Sequence, residues 1–243
     1  MTEFDDNLIP PILVDPDDDP RSCPYLPGRV ILLDYLRFSH LAPEAYQRLM
    51  DHGFRRSGRL VYRPCCPSCR ECRALRVPVA AFQPSRSQRR TLRRNADLRV
   101  VSGPPKFEPR KIDLYNRYLR EMHDGAMSGT PDELRWFLYD SPTDTLEMCY
   151  WLGERLVGVG IVDRTPTALS SVYFFFDPAE RRRSLGTFSA LREIEECRRQ
   201  GLPYWYAGYY IRDCAKMNYK ANFRPFELLA PDGTWSGMSD CRP

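Results

Sequence analysis

The amino-acid sequence predicts an α+β fold in two domains, and three observations support this class. The chain has 243 residues, more than the roughly 100–150 residues of a usual single domain. Hydrophobic residues make up 42% and aromatic residues 12% of it, which is enough to build real cores. Extended runs and helical segments occur in both halves, and a proline-rich break, Gly103-Pro104-Pro105, separates them. We expect an acidic mobile arm at 1–22, a cysteine-containing N-terminal α/β domain at 23–105 and a C-terminal domain at 106–243.

The charge of the chain is unevenly distributed. Residues 1–20 hold seven acidic residues and no basic one, which leaves 36 basic against 25 acidic residues in the rest, a net charge of +11. Such an excess favours polyanionic partners, although ordinary solubility charge is the simpler explanation. No run approaches the roughly 20 apolar residues of a membrane helix, and the N-terminus lacks the basic and apolar segments of a secretion signal. We therefore expect a cytoplasmic protein without a membrane partner.

In the N-terminal half, the residue pattern predicts three strands and two helices. Three extended runs are typical of strands: 28–38, 59–63 and 75–82. Pro43 can open a helix that Gly53 closes, because proline suits the first helical position and glycine the residue after the last. Ser85 and Gln88 have the spacing of a capping box, so a second helix should begin there.

This second helix carries a basic face. Five arginines share helical spacings of three and four residues: Arg86, Arg89, Arg90, Arg93 and Arg94. Arginines this close repel one another, so an anionic partner would favour the helix. Each phosphate that they neutralise would release counterions and make the affinity depend on salt. We predict that these arginines bind the phosphate backbone of a nucleic acid, and a solvated helix face is the alternative.

Four cysteines lie close together within 65–72. Cys65, Cys66, Cys69 and Cys72, with Cys23 as a fifth thiol, supply enough soft ligands for zinc or an iron–sulfur cluster. Adjacent cysteines in a chain without a secretion signal do not suggest a disulfide framework. The spacing leaves three interpretations open: metal ligands, reduced thiols that line a site, and buried structural residues.

The C-terminal half has the predicted order helix, helix, three strands, helix, strand, helix, strand. The clearest of these elements are helices at 110–123, 131–139 and 187–200, a three-stranded antiparallel meander at 146–152, 156–162 and 169–176, and an aromatic core strand at 204–211. This order resembles the N-acetyltransferase-like (GNAT) fold. His123 ends the first of these helices, where it is expected to act as a cap, with catalysis as the alternative.

The turn that follows the third meander strand is basic and opens a helix. Arg183, Gly186 and Thr187 lie at this turn, where outward-pointing backbone amides and the helix dipole can hold a phosphate. Acetyltransferases use the corresponding element for coenzyme A, but the second glycine of their loop is replaced here. We predict an anion at this turn, and a purely structural helix start is the alternative.

A series of specific motifs runs along the chain. They include Cys23-Pro-Tyr-Leu-Pro-Gly-Arg29, Gly53-Phe-Arg-Arg-Ser-Gly58, Tyr62-Arg-Pro-Cys-Cys66, Pro84-Ser-Arg-Ser-Gln-Arg-Arg90 and Lys216-Met-Asn-Tyr-Lys220, with shorter ones at 94–98, 123–125, 176–178, 184–187 and 208–211. Together these motifs resemble the arginyl-tRNA–protein transferase family, and within it the shorter bacterial aspartate/glutamate leucyltransferases. The resemblance covers nearly the whole chain from residue 23 onward.

This resemblance implies a GNAT-like C-terminal domain that accepts aminoacyl-tRNA in place of an acyl-CoA. It implies transfer of leucine from leucyl-tRNA to the N-terminal Asp or Glu of proteins, which tags them for the N-degron degradation machinery. No cofactor is required for that chemistry, and arginine from arginyl-tRNA is the alternative donor. Some eukaryotic relatives carry an iron–sulfur cluster on cysteines that resemble Cys23, Cys65 and Cys66.

The implied reaction is the aminolysis of an ester, and its site residues are predicted from their positions. Asp213 follows the strand 204–211 and is predicted to assist proton removal, with Tyr209 or Tyr210 as the donor to the oxyanion. An acidic acceptor terminus needs a bidentate cation, and there are three candidates: Arg63, Arg76 and Arg212. Two rival functions remain, an acyl-CoA-dependent acetyltransferase and a non-catalytic zinc-containing RNA-binding module.

Overall fold

A computed structural model of the chain describes residues 12–13, 21–122 and 129–237. Most of the predicted arm at 1–22, and His123 with the motif 123–125, lie outside these described residues. The described residues form a mixed structure of helices and strands with two main sheets, which confirms the predicted fold class. None of the described helices combines the length and the apolar character that a membrane crossing requires.

The N-terminal part forms the smaller main sheet and a short ladder. Its strands are β1 (Ile12–Leu13), β2 (Arg21–Ser22), β3 (Val30–Ile31), β4 (Leu33–Arg37), β5 (Arg55–Ser57) and β6 (Leu60–Pro64). The sheet order is β1-β4-β6-β5, and β2 pairs with β3. The predicted helix is α1 (Pro43–Asp51), which buries Tyr46 and Met50 and ends before Gly53. Gly53 has a φ of 86°, a left-handed conformation that suits glycine.

The larger sheet has eight strands. They are β7 (Arg73–Pro78), β8 (Leu98–Gly103), β9 (Thr145–Leu152), β10 (Arg155–Arg164), β11 (Ala168–Phe176), β12 (Tyr204–Tyr210), β13 (Glu227–Leu229) and β14 (Trp235–Gly237). Their order in space is β14-β13-β7-β12-β11-β10-β9-β8. The antiparallel pairing of β9 with β10 and of β10 with β11 confirms the predicted meander.

The large sheet crosses the predicted junction near residue 105. β7 and β8 precede the junction in sequence, yet β7 pairs with β12 and β13, and β8 pairs with β9. The edges of β9 and β12 are therefore covered by strands from the N-terminal segment and are not left unpaired. The segments 23–105 and 106–243 share one sheet. Their division into two separate domains therefore stays a prediction.

The remaining helices follow the predicted positions closely. They are α2 (Arg86–Arg94), α3 (Pro109–Met122), α4 (Pro131–Leu134), α5 (Leu185–Gln200) and α6 (Ala215–Asn218). α4 continues into a π-helical turn, Arg135–Tyr139, and 3₁₀ turns at Pro178–Arg183 and Tyr219–Asn222 lie before α5 and after α6. At the start of α2, the Ser85 side chain accepts from the Gln88 amide and the Gln88 side chain accepts from the Ser85 amide, which confirms the predicted capping box.

Both faces of the large sheet are covered. Tyr150 and Leu169 belong to a core that contains buried residues of α5, whereas their neighbours in sequence, Cys149 and Ala168, face cores built by α3 and by α1. Side chains alternate between the two faces of a strand, so α5 lies on one face and α1 and α3 lie on the other. The strand 204–210 is a core strand, as predicted, because Trp205, Tyr206 and Tyr209 are buried.

The strands β11 and β12 run parallel and pair over a short stretch. Their register runs from Ala168 opposite Tyr204 to Ser170 opposite Tyr206. Immediately afterwards β11 has a bulge at Val172 in its ladder with β10, and β12 has one at Ala207 in its ladder with β7. The ladder between β11 and β12 thus stops where both strands are irregular, and their later residues leave a gap in the sheet.

Candidate functional site

The arginine-rich helix α2 is anchored to elements that are distant in sequence. Its buried side carries Gln88 and Asn95, whose amide groups donate to the carbonyls of Asn222 at 3.1 Å and Arg183 at 2.9 Å. Asn222 belongs to the 3₁₀ turn after α6, and Arg183 to the turn before α5. α2 is thereby held between these two turns, with its arginines outward. All five predicted arginines are exposed: Arg86, Arg89, Arg90, Arg93 and Arg94.

A groove of about 530 Å³ lies where α2, the start of α5 and the 3₁₀ turn after α6 meet. Three arginines line it: Arg90 and Arg94 from α2, and Arg224 from the segment after that turn. Hydroxyl and amide side chains supply neutral hydrogen-bonding groups, among them Ser184, Thr187 and Asn222. The structure therefore brings part of the predicted basic face and part of the predicted anion turn into one cationic groove.

An exposed aromatic ring completes this groove. Tyr219 lines it and is 45% exposed. An exposed aromatic ring beside arginines is the arrangement with which proteins hold single-stranded nucleic acid, since bases stack on the ring while cations bind the phosphates. Tyr219 lies within the motif at 216–220 and had no predicted role.

The anion turn before α5 differs from its prediction at Arg183. The Arg183 guanidinium donates to both carboxylate oxygens of Asp97, at 2.9 and 3.0 Å, and to Glu180 at 2.7 Å. These hydrogen bonds raise the pKa of Arg183 above its ordinary value. Arg183 is therefore already occupied as a clamp between the turn and the end of α2. Gly186 is exposed in the first turn of α5, and Thr187 lines the groove.

The predicted catalytic residues lie around the end of β12. Asp213 is exposed two residues beyond Ile211, which is buried. Tyr209 is buried, and its hydroxyl donates to the Gly53 carbonyl at 2.7 Å, so its proton is not directed at a reacting ester. The structure thus speaks against Tyr209 as the oxyanion donor. Tyr210 is half-buried, and its ring packs against Phe226.

The three predicted acceptor-binding arginines lie in different environments. Arg212 is exposed. Arg63 is nearly half exposed and pairs with Asp34 at 3.1 Å. Arg76 is largely buried, donates to Glu227 at 2.7 Å and stacks against Tyr204 and Trp235, so its charge is already neutralised inside the protein. These contacts argue against Arg76 as a residue that binds an acceptor.

A buried lysine lies directly after the groove tyrosine. Lys220 donates from Nζ to the Tyr209 carbonyl at 2.7 Å. Burial, followed by the positive charge of Arg55, lowers the pKa of Lys220 to about 7. Successive residues of one 3₁₀ turn thus face two sites, because Tyr219 lines the groove and Lys220 reaches β12. Arg55 and Lys220 lie within the sequence motifs at 53–58 and 216–220, and neither had a predicted role.

The cysteines are free thiols throughout the described residues. Cys23, Cys69 and Cys72 pack together with Tyr25 around the buried Leu26. Burial raises the pKa of Cys72 to about 12 and that of Cys65 to about 11, which keeps these thiols protonated. Across the described ranges, no three histidine, cysteine or acidic residues lie close enough together to hold one metal ion. The buried Cys66 lies beside the backbone amide of Leu32, with its Sγ at 3.5 Å.

Comparison with known proteins gives matches along most of the chain. Residues 21–90 match the family model described as arginine-tRNA-protein transferase, N terminus, and residues 110–230 match the model for its C terminus. An aspartate/glutamate leucyltransferase of Pseudomonas fluorescens is 44% identical over 213 residues, which cover 86% of this chain and 91% of that protein. An aspartate/glutamate leucyltransferase of Marinobacter nauticus is 42% identical over 223 residues, covering 90% and 94%.

Among solved structures, the chain is similar to that of FemX. The superposition has a TM-score of 0.47 and covers 71% of this chain and 61% of that chain, with 9% sequence identity.

Proposed function

The chain belongs to the arginine-tRNA–protein transferase family, and on this premise we propose that it transfers leucine from leucyl-tRNA to the N-terminal Asp or Glu of acceptor proteins. The relatives named as leucyltransferases match at 42–44% identity over more than nine-tenths of their own length. The structural observation that carries the proposal is the cationic groove with Tyr219, because a tRNA donor needs a site for a single-stranded, phosphate-bearing end.

The transfer is an aminolysis. The α-amine of the acceptor attacks the carbonyl carbon of the leucyl ester, a C–N bond forms, and the C–O bond to the terminal ribose breaks. The amine loses one proton, and the ribose oxygen leaves as a hydroxyl that carries one. An ester is already activated, and a terminal amine with a pKa of about 7.7–8.0 is partly neutral at cellular pH. Holding the two reactants together can supply about 7–11 kcal/mol of the barrier, so positioning dominates.

The groove is the proposed site for the 3′ end of the tRNA. Arg90, Arg94 and Arg224 bind its phosphates there, while the exposed arginines Arg86, Arg89 and Arg93 contact the backbone further along. Gly186 and Thr187, in the first turn of α5, complete the site with the positive end of the helix dipole. In this proposal Arg183 acts indirectly, because its contacts to Asp97 hold α2 against that turn.

Removing the ring of Tyr219 tests the stacking role. We expect Tyr219→Ala to weaken leucyl-tRNA binding by about 1–3 kcal/mol, roughly 5- to 150-fold, because one stacked base loses its platform. Tyr219→Phe is the matched control and should bind as the unchanged chain does, since the stacking face remains. Filter binding with leucyl-tRNA at fixed salt gives both dissociation constants. Equal affinities for the alanine and phenylalanine variants would rule out stacking on this ring.

The gap between β11 and β12 is the proposed place for the ester carbonyl. It lies where both strands are irregular, beyond the pair Ser170–Tyr206. Beyond Ser170 the backbone groups on the β12 side of β11 lie outside the ladder of these two strands, and such groups can donate to a developing oxyanion. Tyr210, at the end of β12, is kept as the proposed side-chain donor in place of Tyr209.

Asp213 is the proposed acceptor of the amine proton. It is exposed just past the end of β12, where an incoming N-terminus can reach it. Only about a tenth of the amine is neutral at pH 7, so we expect Asp213→Asn to slow single-turnover transfer about tenfold at that pH. The loss should shrink at pH 9, where the amine is neutral without help. Glu154→Gln, at an exposed turn between β9 and β10, is the control for lost charge. An unchanged rate at pH 7 would sink the assignment.

Arg212 and Arg63 are kept as proposed contacts of the acceptor at the protein surface. Both are accessible, in contrast to Arg76.

The reaction needs no cofactor in this proposal. Among the described residues no three of these cysteines lie close enough together to hold one metal ion, so a zinc ion or an iron–sulfur cluster does not fit this arrangement. The proposed reaction uses no metal, and metal analysis of anaerobically purified protein tests this point.

The transferred group identifies the donor. We expect a mixture of the protein with a peptide that begins with Asp to take leucine from leucyl-tRNA, and neither arginine from arginyl-tRNA nor acetyl from acetyl-CoA. Mass spectrometry of the peptide reads the added group, and the same peptide with a blocked N-terminus is the control. Transfer of acetyl alone would contradict the proposed function. We further propose that the added leucine tags cytoplasmic proteins for the N-degron degradation machinery.

A further inference from the structure

Two arginines that are adjacent on β5 are equally buried but differ in their partners. Arg55 and Arg56 are each 5% exposed. Arg56 donates to both carboxylate oxygens of Asp163, at 2.7 and 2.9 Å. Arg55 donates from Nη1 to the Phe54 carbonyl at 3.3 Å, and its Nε and Nη2 are buried without a hydrogen-bond partner. Within the described part of the chain, the guanidinium of Arg55 forms no ion pair with a carboxylate.

Aromatic rings and a second buried cation surround Arg55. Its guanidinium lies 5.0 Å from the centroid of the Tyr206 ring and 5.9 Å from that of Tyr209. Lys220, which donates to the Tyr209 carbonyl, is the other cation, and the charge of Arg55 contributes to its lowered pKa. Two like charges in a buried place repel each other, which favours loss of the Lys220 proton in the free protein and favours binding of an anion that pairs with both cations. The pair therefore has the chemistry of a site for a small anion.

This site is close to solvent on one side. Gly208 and Met217 are both half-buried, and Met217 contacts the Lys220 ammonium at 3.6 Å through its sulfur. A Cβ atom on Gly208 would lie 3.4 Å from Lys220 Nζ, so this ammonium nitrogen is within contact distance of the half-buried backbone at Gly208. The half-buried backbone at Gly208 is therefore the side from which a small anion would meet Lys220.

We propose that Arg55 and Lys220 bind the side-chain carboxylate of the acceptor's N-terminal Asp or Glu, an inference that rests on the proposed leucyl transfer. The planar guanidinium offers Nε and Nη2 as a fork that matches a carboxylate. The position suits the reaction, because Tyr219 lines the tRNA groove and the next residue, Lys220, reaches β12. Donor and acceptor then approach one 3₁₀ turn from two sides.

The test compares two equally buried arginines, of which only Arg56 has a carboxylate partner. For Arg55→Met, we expect the rate of leucine transfer to a peptide that begins with Asp to fall at least about 100-fold, because a charge-assisted bidentate contact is lost. The ratio of the transfer rate for that peptide to the rate for one that begins with Asn should approach unity, while the affinity for leucyl-tRNA stays unchanged. The melting temperature should not fall, since the guanidinium has no carboxylate partner and two of its buried nitrogens are without a hydrogen bond. Lys220→Met should lower the same preference with a smaller loss of rate.

The matched control is Arg56→Met, which should lower the melting temperature because it leaves Asp163 buried without its partner. The fraction of the Arg56→Met variant that is folded should keep its preference for the peptide that begins with Asp over the one that begins with Asn. If Arg55→Met keeps that preference, or melts as early as the Arg56 variant, the inference is wrong. If the unchanged chain transfers no leucine to either peptide, the proposed function fails instead, and melting temperatures still report whether Arg55 is unpaired.

Discussion

Reversing the charge of Arg90 and Arg94 together, as Arg90→Glu and Arg94→Glu, is expected to weaken leucyl-tRNA binding by at least about 100-fold, or about 2.7 kcal/mol. Both side chains are exposed and line the same groove. A hydrogen bond to a charged group contributes about 1.5–3 kcal/mol, and each new glutamate adds repulsion of a phosphate to that loss. Two lost contacts to a single strand should also reduce the slope of log affinity against log salt by about 1.4.

The control for this variant changes the same charge elsewhere. Arg37 and Arg48 are exposed residues of β4 and α1 that do not line the groove. Replacing both by Glu alters the net charge equally, so any loss of general electrostatic attraction appears in both double variants. Filter binding over a range of salt concentrations measures affinity and slope together. A groove variant that binds no worse than the control would show that the tRNA lies on another surface.

Breaking the buried ion pair between Arg56 and Asp163 is expected to destabilise the fold by about 3–5 kcal/mol. Both side chains are fully buried, and the pair joins β5 of the small sheet to β10 of the large one. Burial alone would lower the pKa of Arg56, but the charge and hydrogen bonds of Asp163 outweigh it and raise that pKa. Thr145 donates to Asp163 at 2.7 Å. Asp163→Ala leaves Arg56 and Thr145 without the carboxylate to which they donate.

Urea unfolding of this variant gives the loss directly, and the corresponding fall in melting temperature is roughly 6–20 °C for a chain of this size. The double variant Arg56→Met with Asp163→Leu separates charge from packing. It should recover most of the stability, because replacing a buried pair by apolar groups of similar volume is often neutral. A loss below about 1 kcal/mol for Asp163→Ala would contradict the view that this pair holds the two sheets together.

Features that depend on neighbours in sequence were predicted well. The capping box of Ser85 and Gln88, the helix that begins at Pro43 and the three strands of the meander all occur as expected. These elements are specified by local spacing, so a single sequence contains the information. The family and the leucyltransferase resemblance were likewise readable from motifs in order, and the comparisons confirm them.

Features that depend on distant pairing were missed or displaced. β8 was not predicted, and β7, from the N-terminal segment, pairs with both β12 and β13. The groove likewise needs α2 to meet α5 and the turn after α6, and both of these lie more than 80 residues beyond α2 in the chain, as the contact of Asn95 with Arg183 illustrates. Periodicity reports which face of an element is apolar, and it does not report which element covers that face.

By itself, the sequence determined the class of the protein, its basic helix and the motifs of its family. Only the tertiary structure decided which of its many arginines are free to bind a ligand. Arg183 and Arg76 looked available, but both are held by carboxylates from other segments. Arg55 and Arg56 are neighbours on one strand, yet only Arg56 meets an acid, because their side chains point in opposite directions and Asp163 arrives on one side from β10.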